Sequence, residues 1–483
     1  MAEEGKKKDG FWNFAESFEG DRVVWMIVLL LMMISIVAIF SSTSQLALQQ
    51  GTSRMAIIRE QLLVTVLGLG LIVACYNIRR IGVFRVLSQL GFFISIFLLA
   101  ILASHKAIGP LKPLMINQAW RVISVFGFQI HVYEVVKVAM IMYLAWAVNA
   151  YRNDNFTIAN LLAVKHPFWA KDGVKQILYI YLPIFLVCLG IMFGSLSSTL
   201  FIGGIMFITI LVGGISMRKL LLPGLLAVAV LGLCIGINEI QITNGHAPTF
   251  THLQSALNRV LSEDNEHYLD IIRDNASGSD DFQKALDKIK QPYSAKIAVH
   301  EGGIVGKGPG RSTQRYVVPI MFEDYMFSFI VEEYGLLGGI IVLMLYVSLL
   351  ARGAIIVRNC DNHFAKVAVA GLVILITGQA MMHILINVDL GPLTGQTLPM
   401  ISHGNSSFLM FSIAFGIILG ISRMAKRKIA RETAKAAPLV AQEARKDEVQ
   451  RTLDDLDMLE CEDPLPEHEN AIPDDGIDDC NNE

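Results

Sequence analysis

The chain has 483 residues, of which 53% are hydrophobic and 17% charged, with a formal net charge of −3. Soluble domains carry roughly 25% charged residues, and the apolar residues here fall in blocks long enough to cross a bilayer as helices. That arithmetic excludes a water-soluble enzyme, a disordered scaffold and a secreted disulfide module.

Ten apolar segments stand out, at about 23–43, 61–75, 86–103, 130–148, 177–193, 197–215, 219–237, 325–351, 364–387 and 400–422. The first follows Lys6, Lys7 and Lys8, is too long for a signal-peptide core and has no small-residue cleavage site after it, so it is expected to remain as a span. Basic residues gather in alternate loops. Arg79, Arg80 and Arg85 lie in one, Arg152, Lys165, Lys171 and Lys175 in the next, then Arg218 with Lys219, then Arg352, Arg358 and Lys366, and finally Arg423, Lys426, Arg427, Lys428 and Arg431. The intervening short loops hold Arg54, Arg59, Lys106, Lys112 and Arg121. The positive-inside bias therefore puts both termini in the cytoplasm and the one long loop, about 238–324, outside. Six cysteines without a Cys-x-x-Cys pair support neither a zinc site nor a disulfide framework.

Ionisable residues inside a bilayer are costly and mark candidate sites. The fourth segment carries Glu134 and Lys137, three apart and so on one helix face. They are either an intrahelical structural pair or the lining of a polar cavity. The long loop is polar in its middle, expected to be partly helical, and ends in Gly302, Gly303, Gly306, Gly308 and Gly310 with Lys307, Arg311 and Arg315. GKGPGRST lacks the Gly-x-x-x-x-Gly-Lys-Ser/Thr spacing of a P-loop. It is left as a flexible turn or as a cradle of amides for a phosphate. The eighth segment opens at Asp324 and carries Glu332 and Glu333 about two turns deeper. Asp324 reads either as a helix N-cap or as a carboxylate stationed at the outer membrane surface to act as a base. Between the ninth and tenth segments, LGPLTGQTLP argues for a broken connection, flanked by His383, Asn387, Asp389 and Ser402. From Glu432 onward 17 acidic residues face 4 basic ones, a composition that reads as a disordered, solvated tail, either solubilising or a docking segment.

Taken together, the motifs resemble those of the SEDS family (shape, elongation, division and sporulation). GPLTGQTLPMISHGNSSF resembles its GLxPxTGxxLPFxSYGGSS signature. HEGGIVGKGPGRSTQRYVVPIMFEDYMFSFIVEEYGLLGG resembles its fourth outer loop and eighth span. Glu134 with Lys137 corresponds to its QPSExxK motif, and Arg121 to the arginine just before it. The resemblance covers roughly residues 20–425, and the GKGPGxSxxR form with a long tail looks closer to the division-type member than to the elongation type. Three departures stand out: His131, Val132 and Tyr133 replace Gln-Pro-Ser; His403, Gly404 and Asn405 replace Tyr-Gly-Gly; and the acidic residue near the end of the fifth span is missing from GIMFGSLSST.

The resemblance implies an all-α polytopic membrane protein with ten transmembrane helices and a long extracytoplasmic loop between the seventh and eighth. It implies an inverting peptidoglycan glycosyltransferase that polymerises lipid II, with Asp324 as general base and undecaprenyl diphosphate as leaving group. Lys137, Arg121, Arg315 and Lys307 are the candidate cations for that diphosphate, with Glu134 and Ser402 as further substrate-site residues. Magnesium or manganese is a possible cofactor, and neither an organic cofactor nor nucleic acid is implied. The expected partners are a class B penicillin-binding protein and other division proteins at the septum of the bacterial inner membrane. A lipid II flippase or a non-catalytic division scaffold are the alternative readings.

Overall fold

The computed structural model describes residues 19–43, 51, 53–116, 119–125, 127–156, 160, 164, 166–192, 194–244, 263–274, 279–317, 321–391 and 395–460. Helices α1 (Arg22–Ser42), α2 (Arg54–Tyr76) and α3 (Ile81–Ser104) lead into a three-stranded antiparallel sheet, β1 (Leu111–Ile116), β2 (Ala119–Val125) and β3 (Phe128–His131), in the order β1-β2-β3. Then follow α4 (Val132–Arg152), α5 (Asp172–Met192, with a π-helical turn at Ile177–Tyr181), α6 (Leu196–Val212) and α7 (Met217–Thr243). The long loop holds α8 (Glu263–Asp274) and α9 (Asp280–Gly302), and the chain ends in α10 (Met326–Asn359), α11 (His363–Asn387) and α12 (Asn405–Glu460).

Eight of the described helices are long and apolar enough to cross a membrane: α1 to α5, α10, α11 and the Asn405–Pro438 part of α12. The shorter α6 and the 27-residue α7 lie where the sixth and seventh apolar segments were expected. The fold is a polytopic helical membrane fold. Its outward faces are apolar, as on α10, where Leu336, Leu337, Ile340 and Ile341 are exposed, the pattern a lipid solvent selects. The enclosed centre is α4, α11 and the first part of α12, with Val136, Met140, Leu372, Ala380, Ala414 and Ile418 buried. Asp21 seats the start of α1: its carboxylate accepts from the amides of Val23 (3.0 Å) and Val24 (3.2 Å) and from Arg352 Nε of α10 at 2.9 Å.

Two parts differ from the sequence reading. The short outer loop after the third segment is a sheet instead, and the fourth span begins only at Val132. The β-branched run in Trp-Arg-Val-Ile-Ser-Val of β2 pairs on both sides, with Val122 opposite Leu114 and His131. The tail also departs from the unstructured chain expected of its charge. Residues 427–483 form a unit of their own, and α12 continues to Glu460. Its Ala, Glu, Lys, Arg and Gln content favours helix, and Lys428 Nζ lies 3.5 Å from Glu432 Oε1 one turn on. A charged composition rules out a packed core but not a helix. Residues 461–483 lie outside the described residues.

The most unusual backbone lies in α10. At Gly335 φ is 71° and ψ is −175°, a region open essentially to glycine alone. In a continuous helix the amides of Leu336 and Leu337 would donate to the carbonyls of Glu332 and Glu333. Here Leu336 N donates to Gly303 O (2.9 Å) and Leu337 N to Ile304 O (3.3 Å). The two vacated carbonyls accept instead from Lys307 N (2.9 Å) and Gly308 N (3.0 Å). The glycine-rich end of the long loop is thus spliced into the hydrogen-bond ladder of α10. Close approach demands glycine on both sides: a Cβ on Gly335 would lie 2.2 Å from Ile304 O, and one on Gly306 2.4 Å from Glu333 O.

Gly335→Ala should therefore be strongly destabilising, by about 1–3 kcal/mol for the backbone conformation alone, with the clash added. Gly204→Ala in α6, where a Cβ meets nothing within 4 Å, should be neutral or stabilising by up to about 1 kcal/mol. Thermal unfolding of the two variants in detergent checks the contrast. Equal Tm values would show that the splice contributes little.

Candidate functional site

Three irregular pieces meet at one end of the central helices. A single helical turn, Met321–Asp324, precedes α10. Residues 388–404 join α11 to α12. The sheet passes into α4 at His131.

The connection 388–404 is irregular and largely buried, as the LGPLTGQTLP run led one to expect. Pro392, Leu393 and Thr394 lie outside the described residues. Leu398, Met400, Ile401 and Ser402 are almost inaccessible, so their backbone groups need partners within the protein. Gln379 Nε2 donates to Thr397 O (2.8 Å), Tyr346 Oη to Pro399 O (2.5 Å) and Ser35 Oγ to Ile401 O (3.0 Å). Ser402 Oγ accepts from Leu398 N (2.9 Å) and donates to Glu323 O (2.8 Å). Ser402 thus fastens this segment to the turn that carries Asp324.

That turn is held from two more directions. His403 N donates to Phe322 O (2.9 Å), and Asn387 Nδ2 donates to Asp324 O (3.1 Å). Asn387 Oδ1 in turn accepts from Ser328 N at 2.8 Å. The Asp324 carboxylate is not the N-cap of α10, a position held by Tyr325. It has no hydrogen-bond partner among the described residues. Burial, and then the adjacent charge of Glu323, push its pKa up to about 7, while the positive charge of Arg121 pulls the other way. The folded protein therefore keeps a proton that an unfolded chain gives up near the usual aspartate value. Stability from this group is fully present below that value and is lost as pH rises through about 7.

Arg121 lies on β2 and forms no ion pair among the described residues; its Nε is buried without a hydrogen-bond partner. The sheet that carries it is tied to α12 by Ser406, whose Oγ accepts from His131 N (3.1 Å) and donates to Gln129 O (2.9 Å).

Glu134 and Lys137 do pair, at 2.7 Å. The ammonium also donates to Gln379 Oε1 (2.6 Å) and Gln396 Oε1 (3.1 Å), so all three of its protons are used. Glu134 Oε2 accepts from Ser407 Oγ at 3.2 Å, and Gln396 Nε2 donates to Ser198 Oγ at 3.1 Å. The pair is thus the hub of a buried network joining α4, α6, α11 and α12. Sequence reasoning named Glu134 and Lys137 but passed over Gln379. The signal was present: Gln379, His383 and Asn387 are four apart and share one face of α11.

Lys307 and Arg315, named as candidate cations for a diphosphate, stand apart from Asp324's immediate partners and are engaged elsewhere. Lys307 Nζ pairs with Glu301 and with Glu332 Oε1 (2.8 Å). Arg315 Nη1 donates to Ser41 O and Ser41 Oγ, both at 3.3 Å, and lies 3.8 Å from Glu333 Oε1. The glycine-loop amides expected to cradle a phosphate or to form a plain turn are also taken. Gly310 N donates to Glu333 Oε1 (3.0 Å), and Thr313 N to Glu332 Oε1 (2.8 Å). Two carboxylates of the chain itself fill the place of an external anion.

The fold and these irregular, hydrogen-bonded segments define a multi-span membrane protein with an acidic group at the rim of its helical bundle. The family model described as cell cycle protein, which groups FtsW, RodA and SpoVE, matches residues 21–427. The chain belongs to that family. It is 27% identical over 413 residues to a probable peptidoglycan glycosyltransferase FtsW of Enterococcus hirae, covering 84% of this chain and 94% of that protein. A probable FtsW of Caulobacter vibrioides is 35% identical over 129 residues, which is 27% of this chain and 33% of that protein. Several curated relatives are thus matched over only about a third of their length, as is the peptidoglycan glycosyltransferase MrdB of Escherichia coli at 35%. Among solved structures, a chain from a peptidoglycan synthase complex coordinating polymerization and crosslinking aligns with a TM-score of 0.57 at 19% identity, over 84% of this chain and 98% of that one. The rod shape determining protein RodA of Thermus thermophilus aligns with a TM-score of 0.53 at 19% identity, with the same coverage. Those two likenesses establish the fold.

Lys137→Met leaves Glu134 as an uncompensated buried carboxylate and should cost about 3–5 kcal/mol. Adding Glu134→Gln should recover most of that loss. Tm values in detergent for the single and double variants check this, and a double variant no better than the single one would show that the pair is not coupled.

Proposed function

We propose that the chain is a peptidoglycan glycosyltransferase that polymerises lipid II, with Asp324 as the general base. The names of its relatives support the reaction class, and the single observation that carries the residue assignment is the unbonded carboxylate of Asp324 on a tightly held turn. Asp324 sits in a turn whose main chain is fixed by Ser402, His403 and Asn387 while its carboxylate oxygens stay unbonded among the described residues, which is what a proton acceptor for an incoming hydroxyl requires. Its upward-shifted pKa of about 7 brings it near neutral pH, where a base is both available and strong enough.

The proposed step is a displacement at the anomeric carbon of one lipid-linked sugar. The acceptor hydroxyl attacks, its proton passes to Asp324, and the bond to the diphosphate breaks with inversion. The diphosphate leaves with its electron pair and needs a cation. Lys137 has its three protons committed, and Lys307 and Arg315 face Glu332 and Glu333. Arg121 is the candidate with charge to spare, and its charge already reaches Asp324. Among the described residues no group of three or more His, Cys, Asp or Glu side chains converges. A magnesium or manganese ion would therefore depend on the substrate's own phosphates for its coordination. When bound it would share the neutralisation of the leaving diphosphate.

In this reading the site faces outside, because the basic residues mark the opposite loops as cytoplasmic. The partner is a class B penicillin-binding protein, in keeping with the synthase complex that the fold resembles, and the setting is septal wall synthesis in the inner membrane.

Labelled lipid II supplied to the purified protein, with and without its transpeptidase, tests the assignment. Asp324→Asn should insert and fold yet give no polymer. Because the base works ionised, wild-type kcat/KM should rise about tenfold between pH 6 and pH 8 and level off above that. At pH 8, but not near pH 4, Asp324→Asn should be more stable than the wild type, since it removes the loss of stability that ionisation of a buried carboxylate imposes. Polymer formed by Asp324→Asn would refute the assignment, and lipid movement without polymer would point to a flippase.

A further inference from the structure

The glycine splice at Gly335 has a second half made of side chains. Glu332 and Glu333 are completely buried, and neither touches the Asp324 carboxylate. Glu332 accepts from Lys307 Nζ (2.8 Å), Thr313 N (2.8 Å), Thr313 Oγ1 (3.1 Å) and Gln314 N (3.3 Å), and also from Ser312 Oγ. Glu333 accepts from Ser41 Oγ at the end of α1 (2.6 Å), Gly310 N (3.0 Å) and Ser312 N (3.5 Å). A buried carboxylate is expensive unless it is bonded, and two side by side repel; on Glu333 the donors all converge on Oε1, while Oε2 is buried without a partner. So many donors aimed at them are a construction rather than an accident of packing.

What the construction encloses is the turn that bears Asp324. From Gln314, bonded to Glu332, the chain runs through Met321–Asp324 into α10 and returns to Glu332. The clasp therefore closes a loop around the proposed base. On the inner side Ser402, His403 and Asn387 hold the main chain of 322–324; on the outer side the segment leading to the turn is held by Gly310, Ser312, Thr313 and Gln314 on Glu332 and Glu333, and by Arg315 on Ser41.

We infer that Glu332 and Glu333, with Lys307 and Ser312, are positioning residues that clamp the glycine-rich loop so that Asp324 is presented at a fixed place and depth. This rests on the glycosyltransferase reading of Asp324 and deepens it. Lys307 on this account serves the acceptor's base through Glu332 and does not contact the diphosphate.

The test uses the full-length protein in nanodiscs, with Glu332→Gln, Ser312→Ala and Ser312→Thr, and two readouts. The first is amide hydrogen exchange, which needs no activity. Glu332→Gln should speed exchange at 303–317 and also at 321–326, because loosening the clasp frees the turn. The second is polymerisation of lipid II. Here kcat should fall between about tenfold and a hundredfold with KM changing far less, as misplacement of a reacting group does. The acid limb of the pH profile should move to lower pH as Asp324 gains access to water, which simple loss of folded protein would not cause. Ser312→Ala should show the same changes more weakly, and Ser312→Thr, which keeps the hydroxyl, should restore them; Ser312→Ala serves if Glu332→Gln does not fold. Faster exchange confined to 303–317, with an unmoved acid limb, would overturn the inference while leaving Asp324 as base. Activity retained in Asp324→Asn would instead sink the underlying reading, and the exchange result would still say whether clasp and turn are coupled.

Discussion

A backbone group that leaves its helix inside a membrane has no water to turn to. The structure meets that constraint twice, and its site is built from the two solutions. At Gly335 the ladder of α10 is opened and re-closed with the amides and carbonyls of the glycine loop. Between α11 and α12 the ladder stops altogether, and side chains of Ser35, Tyr346 and Gln379 reach in to bond the stranded carbonyls. Each solution turns an energetic problem into rigidity, because a buried hydrogen bond is costly to break without replacement.

That rigidity explains how a half-buried carboxylate can be left without a partner. Asp324 lies between the two irregular segments, with its main chain tied to residues of both α11 and the 388–404 connection. Its side chain is spared because the neighbouring polar groups bond to main chain and not to its oxygens. Unbonded and largely desolvated, it keeps its proton to about neutral pH. A surface aspartate on a loose loop would be solvated, acidic and a poor base.

Some of this was legible in the sequence. Polar residues within apolar runs announced Glu134, Lys137 and Asp324, since a bilayer tolerates such groups only with a reason. The Gly-Pro-Thr content of LGPLTGQTLP announced a break. What could not be read was pairing. Glycines at 302–310 next to Lys307 look the same whether their amides wait for a phosphate or already hold Glu333, and only the fold brings residues 20 or more apart in sequence to one place. The sheet was hidden for a related reason, because three short strands gain stability from one another and from Ser406, not from a strong local pattern. The helix running to Glu460 was masked by charge, which speaks about cores and says little about local helix preference.

The distribution of charge carries the argument one step further. Among the described residues, each cation named as a candidate for the site finds its counter-charge or its acceptors within the protein, except Arg121. Lys137 answers Glu134, Lys307 answers Glu332, and Arg315 lies against Ser41 and Glu333. An anion arriving at the rim would have to break one of those sets to use its cation, at the cost of exposing a buried carboxylate. Arg121 asks for no such exchange. It is also carried by the sheet and not by a helix, on a platform that Ser406 fastens to α12, so its place relative to Asp324 depends on bonds outside the charged network. In the proposed reading, the group that would meet the leaving charge is thus separate from the clusters that hold the architecture, and could respond to substrate without disturbing them.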